Sequence, residues 1–129
     1  YVHAVLDAGG QVVYLTGRNE PEMGEGTRQS LRELGFPIGV PGVTLMLKGG
    51  PKEDDVAFKR DAAHRIAKMG VVAALFENEP ANMNAMAQEW STMSSISYVF
   101  IDTLHTRRKD EPIACARWVK AREFEAWGR

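Results

Sequence analysis

Short apolar runs alternate with amphipathic stretches along most of this chain. The runs "QVVYLT", "GVTLML", "VVAALF" and "ISYVFID" are rich in β-branched and aromatic residues and have the length of buried strands. The uninterrupted "VVAALF" run is typical of a strand that is covered on both faces. Strands are therefore predicted at 11–16, 42–47, 71–76 and 96–102.

The stretches between these runs carry apolar residues at helical spacing. Helices are predicted over 25–36, 54–69 and 80–90, followed by a terminal helix over 114–127. Leu31 and Leu34 are expected to face inward from the first of them. Residues 1–8 have the pattern of the end of an amphipathic helix, which Gly9-Gly10 would terminate. Because this helix starts abruptly and residue 1 is not Met, we expect an earlier element upstream of Tyr1.

The alternation of predicted strands and helices indicates an α/β fold. A parallel sheet with helices on both faces, a three-layer Rossmann-like arrangement, is the expected architecture. The 129 residues fit a single domain that spans 1–129. In such sheets ligands bind beyond the carboxyl ends of the strands, so the residues that follow each predicted strand are the first candidates for a site.

Composition narrows the class of protein further. With 44% hydrophobic and 26% charged residues the chain is typical of a globular protein, and it contains no apolar run of the roughly 20 residues that a membrane span needs. A net charge of −1 disfavours a general nucleic-acid or membrane surface. Cys115 is the single cysteine, so no disulfide framework is predicted and a reducing cytoplasm is the expected location.

Thr16, Gly17 and Arg18 follow the first predicted strand. A hydroxyl, a backbone N–H that glycine leaves accessible, and a guanidinium together could hold an oxyanion or a phosphate. The same three residues also suit a simple turn, in which the threonine hydroxyl accepts a local hydrogen bond and the arginine is exposed. Both interpretations remain open from the sequence.

Glu77, Asn78 and Glu79 follow the third predicted strand, with Asn82 and Asn84 close behind. Oxygen ligands grouped at a strand end suit Mg²⁺, which takes one or two carboxylates and leaves its other positions to water and phosphate. Alternatively, Asn78 or Glu79 could cap the helix that Pro80 begins.

Lys59 lies near the middle of the apolar side of the helix predicted over 54–69. Ala62, Ala63 and Ile66 share that side, whereas most charged residues project from the other. An ammonium group is almost never buried without a partner, because its desolvation costs several kcal/mol. The sequence therefore predicts that Lys59 meets an anion inside the fold.

The stretches "VVYLTGR", "DDVAFK" and "AALFENE" resemble, in order and spacing, the second, third and fourth motifs of the haloacid dehalogenase (HAD) superfamily. The resemblance covers about residues 1–103, and "LTGR" with "DDVAFK" is most similar to the phosphatase domains of polynucleotide kinase-phosphatases. It implies a HAD-type fold with no large cap in this segment. The first motif, an Asp-x-Asp at the end of the central strand, is absent from this chain. The family pattern places that nucleophile upstream of Tyr1, and neither Asp7 nor Asp102 matches it.

The resemblance implies Mg²⁺-dependent hydrolysis of a phosphomonoester through an aspartyl-phosphate. Thr16 and the Gly17 N–H would hold a phosphoryl oxygen, and Arg18 would sit at the substrate entrance. Lys59 would neutralise the charges of the nucleophile and the phosphate. Lys48, after the second predicted strand, is the alternative candidate for that lysine role.

The fourth motif would supply the metal site of such an enzyme. Glu77, helped by Asn78, would bind or position Mg²⁺, although the family usually carries aspartates here. The substrate could be a small phosphorylated metabolite, a phosphoprotein or a phosphorylated nucleic-acid end. In the last case the basic stretch 105–111 could contribute, although a solvated loop is the simpler interpretation. No membrane partner is expected, and the oligomeric state is not predicted.

Two other functions compete with hydrolysis. A catalytically inactive HAD-like module would use the same groups to bind phosphate or a protein partner. A dinucleotide-binding domain would need a G-x-G-x-x-G sequence after its first strand, which is missing here. Asp102 and Thr103, after the fourth predicted strand, could line the same edge of the sheet, whereas Trp118, Phe124 and Trp127 are expected to serve packing.

Overall fold

The computed structural model describes residues 1–103, 105–107, 111–112 and 117–120. Its elements, in chain order, are α1 (Val2–Asp7), β1 (Val12–Asn19), α2 (Glu20–Glu33), β2 (Val43–Lys48), α3 (Asp55–Met69), β3 (Ala74–Glu77), α4 (Pro80–Glu89), β4 (Ser97–Asp102) and β5 (Arg117–Lys120). The chain divides into two compact units, Tyr1–Phe58 and Lys59–Arg129. Helices alternate with strands that pair in parallel, which confirms the α/β class.

In the first unit, β1 and β2 form a two-stranded parallel sheet with one irregularity. The ladder runs from Val12 opposite Val43 to Leu15 opposite Met46, and it resumes with Asn19 opposite Lys48. Three residues of β1, 16–18, therefore face one residue of β2. The strand was predicted to end at Thr16, but it continues through this bulge to Asn19. Extra residues on one strand bend it and redirect its side chains, as bulges commonly do beside functional sites.

Helix α2 begins at Glu20, five residues before the predicted start at residue 25. Asn19 is its N-cap, because its side-chain oxygen accepts a hydrogen bond from the Glu22 N–H at 3.0 Å. Pro21 occupies the first turn, and Glu20 and Glu22 place negative charge at the positive end of the helix dipole. The apolar periodicity begins only later in α2, so it could not reveal this first turn.

The end of α2 also differs from the prediction. The helix stops at Glu33, and Leu34 forms the C-cap with 71% of its surface exposed, so the inward orientation predicted for Leu34 is wrong. Leu31 is partly buried. Gly35 follows with φ of +82°, a left-handed conformation that glycine adopts without a steric penalty.

Helix α1 occupies Val2–Asp7, which confirms the helix predicted at the start of the chain. Gly9 has φ of +83°, and the Gly10 N–H donates to the Val5 carbonyl at 2.9 Å. A Cβ atom at position 10 would lie 2.7 Å from Val5 Cγ1, so only glycine fits this close turn without a shift of its neighbour. The helix therefore ends through local backbone contacts.

In the second unit, β3, β4 and β5 form a three-stranded parallel sheet in that order. β3 covers only Ala74–Glu77, so the strand predicted at 71–76 starts three residues later and ends one residue later. Val71 is 91% exposed and Phe76 is half exposed, which contradicts the prediction of a strand covered on both faces.

β5 corrects the prediction of a terminal helix over 114–127. Residues Arg117–Lys120 pair with β4, from Val99 opposite Arg117 to Asp102 opposite Lys120. Trp118 and Val119 favour strands, and Trp118 packs edge-on against Phe100 with 4.9 Å between ring centroids. This tertiary pairing overrides the helical spacing of the sequence. Phe124 and Trp127 lie outside the described residues.

The described core of the second unit forms where α3 and α4 bury their apolar sides. Ala62 and Ala63 of α3 are fully buried, as the periodicity predicted, and Met83 and Met86 of α4 are buried with them. The Trp90 indole N–H donates to the Ala63 carbonyl at 2.8 Å and fixes the chain after α4. Within the described residues, no helix combines the length and the apolar content needed to cross a bilayer.

The two glycines within α2 give a test of this helix. A Cβ on Gly26 would meet nothing within 4 Å, whereas a Cβ on Gly24 would lie 2.8 Å from the Glu20 carboxylate, which pairs with Arg28. Gly26→Ala should therefore raise the free energy of unfolding by roughly 0.5–1 kcal/mol, since alanine favours helices over glycine. Gly24→Ala should gain less, because Glu20 must move. Urea unfolding measures both; destabilisation by Gly26→Ala would contradict a continuous α2.

Candidate functional site

Each unit buries a lysine that pairs with a carboxylate near the carboxyl end of a parallel strand. In the first unit, Lys48 at the end of β2 pairs with Asp55. In the second unit, Lys59 of α3 pairs with Glu77 at the end of β3.

Lys59 is 6% exposed, and its Nζ lies 3.1 Å from Glu77 Oε2. Glu77 is 8% exposed, so both charges have been removed from water. The burial of Lys59, predicted from its place on the apolar side of the helix, is confirmed. The anion that contacts the Lys59 ammonium is the carboxylate of Glu77.

Glu77 also organises the start of α4. Its Oε1 accepts hydrogen bonds from the Asn78 N–H at 2.9 Å and the Glu79 N–H at 3.0 Å. Glu79 is the N-cap residue of α4, yet its side chain makes no capping hydrogen bond. The side-chain cap that the sequence offered for Glu79 as one alternative is therefore absent, and Glu77 instead binds the N–H groups of the two residues that precede α4. A negative charge beside a helix N-terminus is also favoured by the helix dipole.

Asp102 ends β4 at the same edge of the sheet as Glu77, because β3 and β4 are parallel and Glu77 lies opposite Phe100. It is only 1% exposed, and its Oδ2 accepts a hydrogen bond from the Trp118 indole N–H at 3.4 Å. The location of Asp102 at this edge agrees with the sequence. The sequence does not predict its contact with Trp118, because the predicted helix over 114–127 includes residues 117–120.

Both carboxylate oxygens of Glu77 are already engaged by groups of the protein. Two backbone N–H groups occupy Glu77 Oε1, while Oε2 faces Lys59. In the described part of the chain, no group of three or more carboxylates, histidines or cysteines could enclose a metal ion. Mg²⁺ often takes only one or two protein carboxylates, and an ion at Glu77 would have to share Oε2 with Lys59.

Lys48 is buried at the end of β2, and two groups of the first unit hold its ammonium. Its Nζ donates to the Glu53 carbonyl at 2.9 Å and lies 2.8 Å from Asp55 Oδ1. The second contact is an ion pair and lacks the geometry of an aligned hydrogen bond. Glu53 Oε2 in turn accepts the Gly49 N–H at 3.0 Å, which closes the turn between β2 and α3. This ammonium is therefore already engaged.

The bulge of β1 contains the other candidate residues of the first unit. Thr16 Oγ1 accepts the Arg18 N–H at 3.2 Å, which is the local turn that the sequence had left open as an alternative. Arg18 is exposed, and its guanidinium donates to the Thr27 hydroxyl at 3.4 Å. A Cβ on Gly17 would lie 2.8 Å from Asp55 Oδ1, so this carboxylate packs directly against the glycine.

Asp55 is the residue that sequence reasoning missed. It belongs to the "DDVAFK" stretch, but only Lys59 of that stretch was assigned a role. Its carboxylate brings Gly17 and Lys48 together, as Glu77 brings Lys59 together with the backbone of Asn78. The available signal was an acidic residue at the start of a helix, which is too common to be specific.

The Lys59–Glu77 pair predicts that substitution of Glu77 will lower the free energy of unfolding more than substitution of its neighbour Glu79. Glu77→Gln should lower the free energy of unfolding by about 3 kcal/mol, because it removes the buried charge that faces Lys59. Glu79→Gln is the matched control and should change stability by less than about 1 kcal/mol, since its contact with Arg107 is long and that arginine is exposed. Urea unfolding with unchanged m-values measures both, and equal effects would contradict the assigned pairing.

Comparison of the chain with models of protein families, with curated proteins and with solved structures found no match.

Proposed function

We propose that this protein is a Mg²⁺-dependent phosphomonoester hydrolase of the HAD type, which acts through an aspartyl-phosphate. The observation that carries the proposal is the buried pair of Lys59 with Glu77 at the carboxyl end of β3. The resemblance to the third and fourth HAD motifs rests on these two residues. The proposal includes a three-layer HAD-type fold, a reducing cytoplasm as the location, and a nucleophilic Asp-x-Asp strand upstream of Tyr1.

The energetic cost of the pair supports a functional role. Removing a lysine and a glutamate from water costs several kcal/mol for each ion, and well-packed apolar residues would often give equal or greater stability. Buried charges are instead frequent where a protein must handle a charged ligand. The pair also lies at the edge of a parallel sheet where ligands of α/β proteins bind.

In this proposal the residues of the chain position the phosphate and neutralise its charge. Lys59 offsets the negative charge of the phosphoryl group and of the attacking carboxylate. Thr16 and the Gly17 N–H hold a phosphoryl oxygen, and Arg18, which is exposed, meets the incoming substrate. Phosphoryl transfer needs little more than such positioning and electrostatic stabilisation.

Glu77 and Asn78 would hold the magnesium ion together with the upstream aspartates. The metal would supply charge neutralisation at the transferring phosphoryl oxygens. The backbone N–H groups on Glu77 Oε1 fix the carboxylate with Oε2 directed at Lys59, and Oε2 is the oxygen that the metal would share with this lysine. Phosphorylated small molecules, phosphoproteins and phosphorylated nucleic-acid ends remain the candidate substrates.

One observation favours a second candidate, the catalytically inactive module that binds phosphate or a partner. Each unit has a buried lysine that pairs with a carboxylate of the chain itself, Lys48 with Asp55 and Lys59 with Glu77. Such internal pairs satisfy the lysines without an external anion. The module would bind inorganic phosphate in a titration but would release none from an ester.

Substitution of Lys59 tests hydrolysis directly in the full-length natural protein. Lys59→Met should lower Mg²⁺-dependent release of phosphate from 4-nitrophenyl phosphate by about 100-fold or more, since a group that stabilises the transition state is lost. Lys68→Met is the matched control, because Lys68 is an exposed lysine of the same helix. It should leave turnover unchanged. Comparable turnover in folded Lys59→Met and Lys68→Met proteins would exclude the proposed role.

Removal of the metal provides an independent test. Chelation by EDTA should abolish phosphate release, and added Mg²⁺ should restore it, because the proposed chemistry needs the cation to offset charge on the phosphoryl oxygens. Glu77→Gln should raise the Mg²⁺ concentration that gives half-maximal turnover. Full turnover in EDTA would refute the metal-dependent mechanism.

A further inference from the structure

Asp55 occupies a central place in the first unit that none of the functions considered so far uses. A Cβ on Gly17 would lie 2.8 Å from its Oδ1, 3.3 Å from its Cγ and 3.5 Å from its Oδ2. The carboxylate thus occupies the space that the Cβ atom of any other residue at position 17 would need. Only a glycine permits this close approach between the start of α3 and the bulge of β1.

The same carboxylate oxygen links the bulge to the end of β2. Asp55 Oδ1 is buried and lies 2.8 Å from Lys48 Nζ, while Lys48 is also held by the Glu53 carbonyl. Lys48 is the residue that resumes the ladder with Asn19 after the bulge. Asp55 therefore contacts the bulge itself and the strand residue that closes it.

The bulge needs such support because the strand ladder does not define its shape. Its three residues, 16–18, face a single residue of β2, so regular pairing is interrupted. Thr16 and Arg18 share a local hydrogen bond, and Arg18 reaches Thr27. Gly17 has no side chain with which to anchor itself. The packed Asp55 carboxylate restricts where its peptide groups can lie.

Charge balance explains why Lys48 accompanies Asp55. A carboxylate next to a proposed phosphate-binding N–H would repel the phosphate. The Lys48 ammonium at 2.8 Å offsets that charge. The pair can therefore hold the bulge without adding net negative charge beside it.

We propose that Asp55, paired with Lys48, is a positioning residue that sets the conformation of the Thr16-Gly17-Arg18 segment for phosphate binding. This inference rests on the proposed function for the identity of the ligand. Its structural part, the control of the segment by Asp55, can be measured without any turnover. Asp55 acts through Gly17 and Lys48 and is not itself expected to contact the substrate.

Asp55→Ala in the full-length natural protein is the decisive variant, with Asp54→Ala as the matched control. Asp54 Oδ2 accepts the Ala57 N–H at 2.8 Å, so its loss weakens the start of α3 without touching Gly17. Asp55→Asn keeps a similar shape but removes the charge, and it should restore part of what Asp55→Ala loses. The three variants separate helix capping, packing and charge.

The structural readout is the behaviour of two amides in NMR spectra. Asp55→Ala should shift the Gly17 amide resonance and speed hydrogen exchange of the Arg18 amide by roughly tenfold, because the bond to Thr16 would open more often. Exchange in the regular ladder, at Thr44 and Leu45, should stay as in the unsubstituted protein. Asp54→Ala should leave Gly17 and Arg18 unaffected.

The kinetic readout is the separation of kcat from KM for 4-nitrophenyl phosphate. Asp55→Ala should lower kcat by about 100-fold, the scale expected when a small displacement misplaces a reacting group. Asp54→Ala should retain turnover. Equal losses in Asp54→Ala and Asp55→Ala, or unchanged Gly17 and Arg18 amides in Asp55→Ala, would overturn the positioning role.

The outcomes also separate this inference from the proposed function. If the unsubstituted protein releases no phosphate, hydrolysis is refuted, and the amide measurements still decide whether Asp55 controls the segment. If hydrolysis occurs and Asp55→Ala leaves kcat unchanged, the enzyme assignment stands and the positioning role is refuted.

Discussion

The constraint on which the second unit depends is the need of a buried ammonium for a fixed anion. Lys59 lies among the small, fully buried alanines of α3, where water cannot solvate it. Glu77 meets that need only because its other oxygen accepts two backbone N–H groups at the start of α4. The carboxylate thereby ties together a helix side chain, a strand end and the two residues that lead into the next helix. Loss of the carboxylate would disturb all three elements.

The first unit also pairs a buried lysine with a carboxylate, but here the carboxylate affects local geometry more than stability. Asp55 is partly exposed and its contact with Lys48 is not an aligned hydrogen bond, so this pair contributes less to stability than a fully buried one. Its geometric effect is larger than its energetic effect, because the carboxylate packs against a glycine in an irregular part of β1. The Asp55–Lys48 pair can therefore determine the local conformation of β1 although it adds little stability, whereas the Lys59–Glu77 pair mainly affects stability.

Sequence periodicity predicted the features that depend on local spacing. It placed α3 and α4 within one residue of their observed bounds and identified Lys59 as a buried cation. It missed features that depend on partners distant in the sequence. β5 is a strand because β4 supplies its ladder, although its residues have helical spacing. The start of α2 at Glu20 was not predicted, because it depends on the Asn19 cap and precedes the apolar pattern. The role of Asp55 was not predicted because its carboxylate packs against Gly17, which lies 38 positions earlier in the sequence.

The Glu77 carboxylate limits how a phosphate ligand could bind to Lys59. A phosphate that approaches Lys59 must share the ammonium with Glu77, and the close approach of two anions is unfavourable unless a cation separates them. A divalent ion bound by Glu77 would remove that conflict, since it turns the carboxylate from a competitor of the phosphate into part of its binding site. In the proposed enzyme, the pairing of Lys59 with Glu77 would therefore make phosphate affinity and metal affinity interdependent. A module that binds phosphate without a metal would instead have to break the Lys59–Glu77 contact, at the cost of exposing or stranding a buried charge. Cooperative binding of phosphate and metal is thus the physical property that would distinguish the proposed hydrolase from the inactive module.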